Sequence, residues 1–107
     1  MKEFSVIYKI LKALRNAMDR DEFDVAQFDP EILDVSENQR DRLLMMLQKA
    51  GYIEGLRVVQ VDGMNVPKVL LKHSCPMITL KGLEYLEENS FMRRAADIAK
   101  GIVDVMK

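Results

Sequence analysis

The amino-acid sequence predicts a mostly helical domain with one small β-hairpin, arranged as a winged helix-turn-helix with an additional C-terminal helix. Three observations predict this class. Helical periodicity fills the first half of the chain, two β-rich runs follow within residues 52–71, and helical periodicity returns after residue 79. With 107 residues, 49% of them hydrophobic, the chain has the size and composition of one domain with one core.

The first half of the chain contains three predicted helices. In the first, apolar residues recur at three- and four-residue spacing from Glu3 to Met18. The second is short and begins at Asp29 and Pro30, because Asp can accept free amides at a helix start and Pro has no amide to satisfy. A charged loop and a short extended segment precede it and point three apolar side chains inward: Phe23, Val25 and Phe28.

The third predicted helix has clear start and stop signals. Ser36 and Gln39 have the spacing of a capping box, and Gly51 suits the left-handed residue that closes a helix. Because the second and third helices are separated by a tight connection, they form a helix-turn-helix candidate.

The second half of the chain predicts a wing followed by two helices. The two β-rich runs flank Asp62-Gly63, a turn dipeptide typical of hairpins. Thr79 is the expected N-cap of a helix over Leu80–Glu88, and Ser90 is expected to cap a final helix. We therefore expect a winged-helix domain over residues 1–89 and a C-terminal helix over residues 90–107 that packs on the domain or on a partner subunit.

Two stretches resemble a known family: Ala50–Ile53 (Ala-Gly-Tyr-Ile) and Ile78–Ser90, which is followed by a helical tail rich in Arg, Lys and Ala. They resemble the YjcQ-like family of small winged-helix proteins carried by bacteria and their prophages. The similarity covers most of the chain, and its most specific part is the Thr-Leu-Lys-Gly-x-x-Tyr-Leu segment. The resemblance implies the fold and a phage-associated origin, and it implies no activity. Arg40 departs from the pattern, since a hydrophobic residue is expected at that place on the third helix.

The outward face of the third helix is the main candidate site. If Leu43, Leu44 and Leu47 face the core, four side chains point to solvent: Asn38, Arg42, Met45 and Lys49. In a helix-turn-helix this face enters the major groove of DNA, where Asn and Arg can bond base edges and Lys can neutralise phosphate. The same pattern is also typical of an ordinary solvated face, and the methionines would suit a protein contact.

The predicted wing supports the nucleic-acid interpretation. Between Leu56 and Gly82 the chain has four basic residues and one acidic residue, and Arg57 and Lys68 are the basic residues expected to contact the phosphate backbone. Cations that keep an edge strand soluble are an alternative explanation. The leading hypothesis is a DNA-binding winged helix of prophage type, a class that includes transcriptional regulators. The alternative is a phage or host protein-interaction module that keeps the fold without binding DNA.

Charge and motif content argue against other function classes. The net charge of −1 gives no general attraction to nucleic acid, so any DNA contact must be local. His73 and Cys75 could suggest half of a metal site, but zinc normally takes four ligands, and both are expected to be half-buried strand residues. No catalytic motif is present. We therefore expect no enzymatic activity, no cofactor and no metal.

Localisation and assembly are the remaining expectations. No segment is long and apolar enough to span a membrane, and a single cysteine fits a reducing cytoplasm, so a cytoplasmic protein is expected. The last predicted helix has an apolar stripe that predicts a homodimer. A two-fold dimer would present two recognition helices to one double-stranded DNA, the expected partner. The expected dimer contacts are Phe91, Ala95, Ile98 and Ile102. In the alternative, this stripe folds back on the first helix of a monomer.

Overall fold

The computed structural model describes residues 2–60, 62–63, 65 and 67–99, with the backbone alone from residue 90 onward. The helices are α1 (Lys2–Asn16), α2 (Pro30–Leu33), α3 (Glu37–Lys49) and α4 (Leu80–Ala99). The strands are β1 (Ile53–Glu54), β2 (Val58–Val59), β3 (Lys68–Val69) and β4 (Met77–Ile78). This order of helices and small antiparallel strand pairs confirms the predicted winged-helix class and its C-terminal helix.

The core is formed by one face each of α1 and α3, closed by β1 and α4. On α1 the buried positions Val6, Ile10 and Leu14 follow the spacing of a single helix face. Leu11 of α1 is buried as well, and the other elements add further buried side chains: Phe28, Leu33, Leu43, Leu44, Leu47, Ile53, Val69 and Leu86. Because α3 packs through this core, its opposite face remains in solvent.

The wing is a β-ribbon in two sections. Ile53 of β1 lies opposite Ile78 of β4, and Val58 of β2 lies opposite Val69 of β3. Between the two sections the chain widens into a 3₁₀ turn over Leu71–His73. The Ser74 hydroxyl bridges this gap, since it donates to the Leu70 carbonyl at 2.7 Å and accepts from the Arg57 amide at 2.8 Å.

The segment before α2 differs from the prediction. Val25–Phe28 is a 3₁₀ turn rather than an extended segment, and the Asp24 carboxylate caps it by accepting from the Ala26 amide at 3.0 Å. Asp29 precedes Pro30 at the start of α2, but its side chain makes no capping bond. Phe28 is nevertheless fully buried, and its ring lies 4.7 Å from that of Phe23.

The end of α3 packs against the start of α4, although the wing separates them in the chain. We call the seven residues of this contact the α3–α4 junction: Ala50, Gly51, Tyr52, Thr79, Lys81, Gly82 and Tyr85. Gly51 has φ +90°, the left-handed conformation predicted for the residue that closes α3. The Thr79 hydroxyl donates to the Gly51 carbonyl and accepts from the Gly82 amide, which confirms Thr79 as the N-cap of α4. The Lys81 ammonium donates to the Ala50 carbonyl at 2.9 Å.

Close packing completes the α3–α4 junction. Lys81 Nζ lies 4.9 Å from the centre of the Tyr52 ring, and the Tyr85 ring meets that same ring edge-on at 5.4 Å. Gly82 packs directly against Tyr52, because a Cβ at position 82 would collide with the Tyr52 carbonyl oxygen. Burial, and to a smaller extent the neighbouring Tyr52, raises the pKa of the Tyr85 phenol.

The C-terminal helix corrects a second prediction. Instead of ending near Glu88 and restarting at Ser90, α4 is continuous from Leu80 to Ala99. It contains no proline, and its one glycine, Gly82, lies in the first turn, so nothing in its sequence forces a break. The expected boundary between residues 89 and 90 therefore falls inside a helix. The predicted dimer contacts Phe91, Ala95, Ile98 and Ile102 lie outside the residues whose side chains are described.

Candidate nucleic-acid interface

We call five exposed side chains of α3 its outward face: Asn38, Gln39, Arg42, Met46 and Lys49. Glu37 in the first turn is exposed too, but it lies toward Arg40, on the other side of the helix. Asn38, Arg42 and Lys49 were predicted from the sequence. Met45 was predicted with them, but it is half-buried and packs against the core, whereas Met46 is 61% exposed. The helix is thus rotated toward Met46 relative to the prediction, because Arg40 shares the buried side with the leucines.

Polar groups on this face remain available for a ligand. Gln39 is the exception, because its side-chain oxygen accepts from the backbone amide of Ser36 at 3.2 Å. The backbone amide of Gln39 in turn donates to the Ser36 hydroxyl, so the predicted capping box is confirmed. Among the described residues, the side chains of Asn38, Arg42 and Lys49 have no hydrogen bond or ion pair with the rest of the chain. Their donors therefore point to solvent without a competing internal partner.

A charge pair lies buried on the inner side of α3. Arg40 is 8% exposed and Asp41 is 3% exposed. Arg40 donates to Asp41 Oδ1 at 3.1 Å and to the Phe28 carbonyl at 3.2 Å. This arrangement explains the departure of Arg40 from the apolar pattern, since its charge is neutralised inside the fold. It also removes the Asp41 carboxylate from the outward face, where it would repel phosphate.

Two side chains of α3 fix the wing beside the helix. Asp41 Oδ2 accepts from the Val69 amide of β3 at 3.4 Å. Further along the helix, Gln48 Oε1 accepts from the Leu56 amide at 2.7 Å, and its Nε2 donates to the Leu56 carbonyl at 3.4 Å. The wing is therefore held to α3 at two points rather than through its strands alone.

Basic residues lie directly beside these two contacts in the sequence. Arg42 and Lys68 each lie next in sequence to a residue of the Asp41–Val69 contact. Lys49 and Arg57 each lie next to a residue of the Gln48–Leu56 contact. Arg57 is exposed and Lys68 is half-buried. The other two basic residues between Leu56 and Gly82 lie elsewhere: Lys81 belongs to the α3–α4 junction and Lys72 to the 3₁₀ turn.

The opposite charge is concentrated before α3. Residues 19–34 contain seven acidic side chains and one basic side chain, and all eight are exposed. The near-zero net charge of the chain thus conceals a strongly acidic segment, which the small positive excess of the other segments offsets. A polyanion is therefore expected to avoid residues 19–34.

A family comparison agrees with this architecture. The family model described as YjcQ protein matches residues 8–105. The chain belongs to the YjcQ family. No curated protein and no solved structure matches it.

The YjcQ match confirms the resemblance inferred from Ala50–Ile53 and Ile78–Ser90. In the structure these two stretches meet, since they contain all seven residues of the α3–α4 junction. Their hydrogen bonds and ring contacts are internal to the fold. The most specific part of the resemblance is therefore explained by the packing of the domain, and the exposed side chains of the candidate interface lie outside it.

The other sequence-level candidates have different positions from those expected. His73 lies in the 3₁₀ turn Leu71–His73 and Cys75 in the connection to β4, so neither is a strand residue, and both are exposed. Within the described part of the chain, no three His, Cys, Asp or Glu side chains group closely enough to hold a metal ion. A search of the same residues finds no helix with the length and apolar character of a membrane span.

Proposed function

We propose that this YjcQ-family protein binds double-stranded DNA in the cytoplasm, by contact rather than catalysis, and acts as a regulator of the winged-helix type. The outward face of α3 enters the major groove, with Asn38 and Arg42 toward base edges and Lys49 toward phosphate. Arg57 and Lys68 of the wing contact the phosphate backbone alongside.

The observation that carries this proposal is the double attachment of the wing to α3. The bonds from Asp41 to Val69 and from Gln48 to Leu56 fix the backbone of the wing beside α3, next in sequence to Arg42, Lys49, Arg57 and Lys68. Binding a rigid duplex requires such fixed spacing, because a contact that must first be ordered costs conformational entropy. The internal pairing of Asp41 with Arg40 supports the same proposal by taking one negative charge away from the contact surface.

The experiment is a fluorescence-anisotropy titration of a random-sequence duplex pool and of fragments of the source genome at low salt. We expect the wild-type protein to bind, and the R42A/K49A variant to bind at least about tenfold more weakly at the same fold stability. Circular dichroism of both proteins checks the fold. Absence of duplex binding by the wild-type protein at low salt would contradict the proposal.

One observation favours a second candidate, a protein-interaction module. Met46 is 61% exposed at the middle of the outward face of α3, and exposed methionines are typical of adaptable protein contacts. If this candidate is correct, M46A weakens the capture of a protein partner, and no duplex binds to the wild-type chain. If DNA is the ligand, M46A changes duplex affinity less than R42A/K49A does.

A further inference from the structure

An open apolar groove lies on the side of the domain where α1 ends and β4 begins. Its volume is about 620 Å³. The apolar side chains along it are Leu14, Met18, Phe23, Leu71, Met77 and Ile78. Met18 is 61% exposed and Met77 is 52% exposed. Exposed apolar side chains that gather in one groove mark an interaction surface, and methionine adapts to the shape of a partner.

We propose that this groove binds residues 102–106 of a second copy of the chain. That segment reads Ile-Val-Asp-Val-Met, so it offers four apolar side chains around a single carboxylate. It is flanked by Lys100 and Lys107. Its short, mostly apolar run has the hydrophobic character of the groove.

The length of α4 shows why the occupant comes from a second copy: it separates residues 102–106 from the groove of their own chain. Ile78 lines the groove, and α4 begins two residues later, at Leu80. The 20 residues of α4 carry the chain away by about 28 Å at ~1.5 Å per residue. Ile102 follows Ala99 by three positions, a stretch that spans at most about 11 Å when fully extended. Ile102 therefore cannot reach the groove of its own chain, and residues 102–106 as a whole cannot fill it.

The charges around the groove complement those of the proposed occupant. Two acidic side chains, Asp21 and Glu22, lie along the groove, as do two basic ones, Arg20 and Lys72. The acidic pair suits the lysines that flank residues 102–106, and the basic pair suits Asp104 inside the segment. Each charge of the occupant thus has a partner of opposite sign on the same surface.

Reciprocal exchange fills both grooves and gives a closed two-fold dimer. Its contacts differ from the helix-to-helix pairing expected from the stripe of Phe91, Ala95, Ile98 and Ile102. Ile102 is shared by both arrangements, but here it meets the body of the other copy instead of the other last helix. The inference does not depend on DNA binding, and its test contains no nucleic acid.

Sedimentation equilibrium of the full chain at micromolar to millimolar concentration tests the assembly. We expect a dimer for the wild type and a monomer for both M77K and I102E/V105E. Met77 lies opposite Glu54 in the β1–β4 pair, so a lysine there gains a favourable cross-strand partner and the fold is kept. The matched control is I32K on α2, which changes a residue that is 59% exposed and does not line the groove. It is expected to remain dimeric.

Two further measurements separate this arrangement from other dimers. An equimolar mixture of M77K and I102E/V105E should form a heterodimer, because one intact groove and one intact tail remain. In V105C, the exposed Cys75 at the groove should form a disulfide with the introduced cysteine of the other copy under mild oxidation, identified by peptide mass. A monomeric wild type, a dimeric M77K, or a bond only between the two introduced cysteines would each overturn the proposal.

Discussion

The α3–α4 junction and the outward face of α3 are adjacent regions that use polar residues in opposite ways. At the junction, Thr79 and Lys81 bond backbone carbonyls of the same chain. On the outward face, Arg42 and Lys49 have no internal partner among the described residues. Polar groups that satisfy one another stabilise a fold, whereas exposed groups without partners remain available to a ligand. The junction therefore accounts for stability, and the outward face of α3 is the region available to a ligand.

The largest expected effect is the loss of stability when Asp41, whose carboxylate is buried on the inner side of α3, is replaced. D41A leaves the Arg40 guanidinium buried without its main partner and frees the Val69 amide, so the free energy of unfolding should fall by about 3 kcal/mol. Urea denaturation measures it. The control E37A removes an exposed carboxylate one turn earlier, 3.7 Å from Arg40, and should cost less than about 0.5 kcal/mol. Equal destabilisation of the two variants would contradict the structural role of Asp41.

Gly82 tests the junction itself. In an ordinary helix, Gly to Ala stabilises by about 1 kcal/mol. Here the new Cβ would meet the Tyr52 carbonyl oxygen and the Ile78 side chain, so G82A should instead destabilise the protein by about 2 kcal/mol. Thermal and urea unfolding measure the change. A stabilised G82A would show that the junction is looser than the structure indicates.

The smallest expected effect is on the pH dependence of stability. The pKa of the Tyr85 phenol is raised, first by burial, so the fold favours its neutral form. The stabilisation from the neutral phenol is complete below the pKa of Tyr85 in the unfolded chain, about 10. It is lost as the pH rises through the higher pKa of Tyr85 in the folded protein. Wild-type stability should therefore fall more steeply in alkali than that of Y85F. Urea unfolding of both proteins between about pH 8 and pH 11 measures the difference, and parallel curves would refute it.

Much of the fold could be predicted because its signals are local. The capping box at Ser36, the closing glycine Gly51 and the N-cap Thr79 each depend on a few neighbouring residues, and each is confirmed. The break at Ser90 was wrong because serine is also compatible with a helix interior, so a cap-like residue alone does not end a helix.

The candidate site was harder to predict because its orientation depends on distant partners. Periodicity alone placed Met45 outward, but Arg40 is held inward by the Phe28 carbonyl, twelve residues away in sequence, and this turns Met46 to solvent. The attachment of Gln48 to Leu56 is likewise tertiary. The buried pair Arg40–Asp41 could have been predicted from one feature of the sequence. A charged residue lies on the apolar stripe of the third helix, and the next residue has the opposite charge.

The salt dependence of duplex binding tests the central claim most directly. Removing one phosphate-binding cation should lower the slope of log K against log salt by about 0.9 in magnitude. We expect R42A/K49A to lower it by up to about 1.8, less if Arg42 binds only bases. The control K9A/R15A removes the same charge from exposed positions on α1 and should leave the slope unchanged. Equal slopes for the two double variants, or no binding by the wild type, would contradict the assignment of the outward face of α3 as the DNA-binding surface.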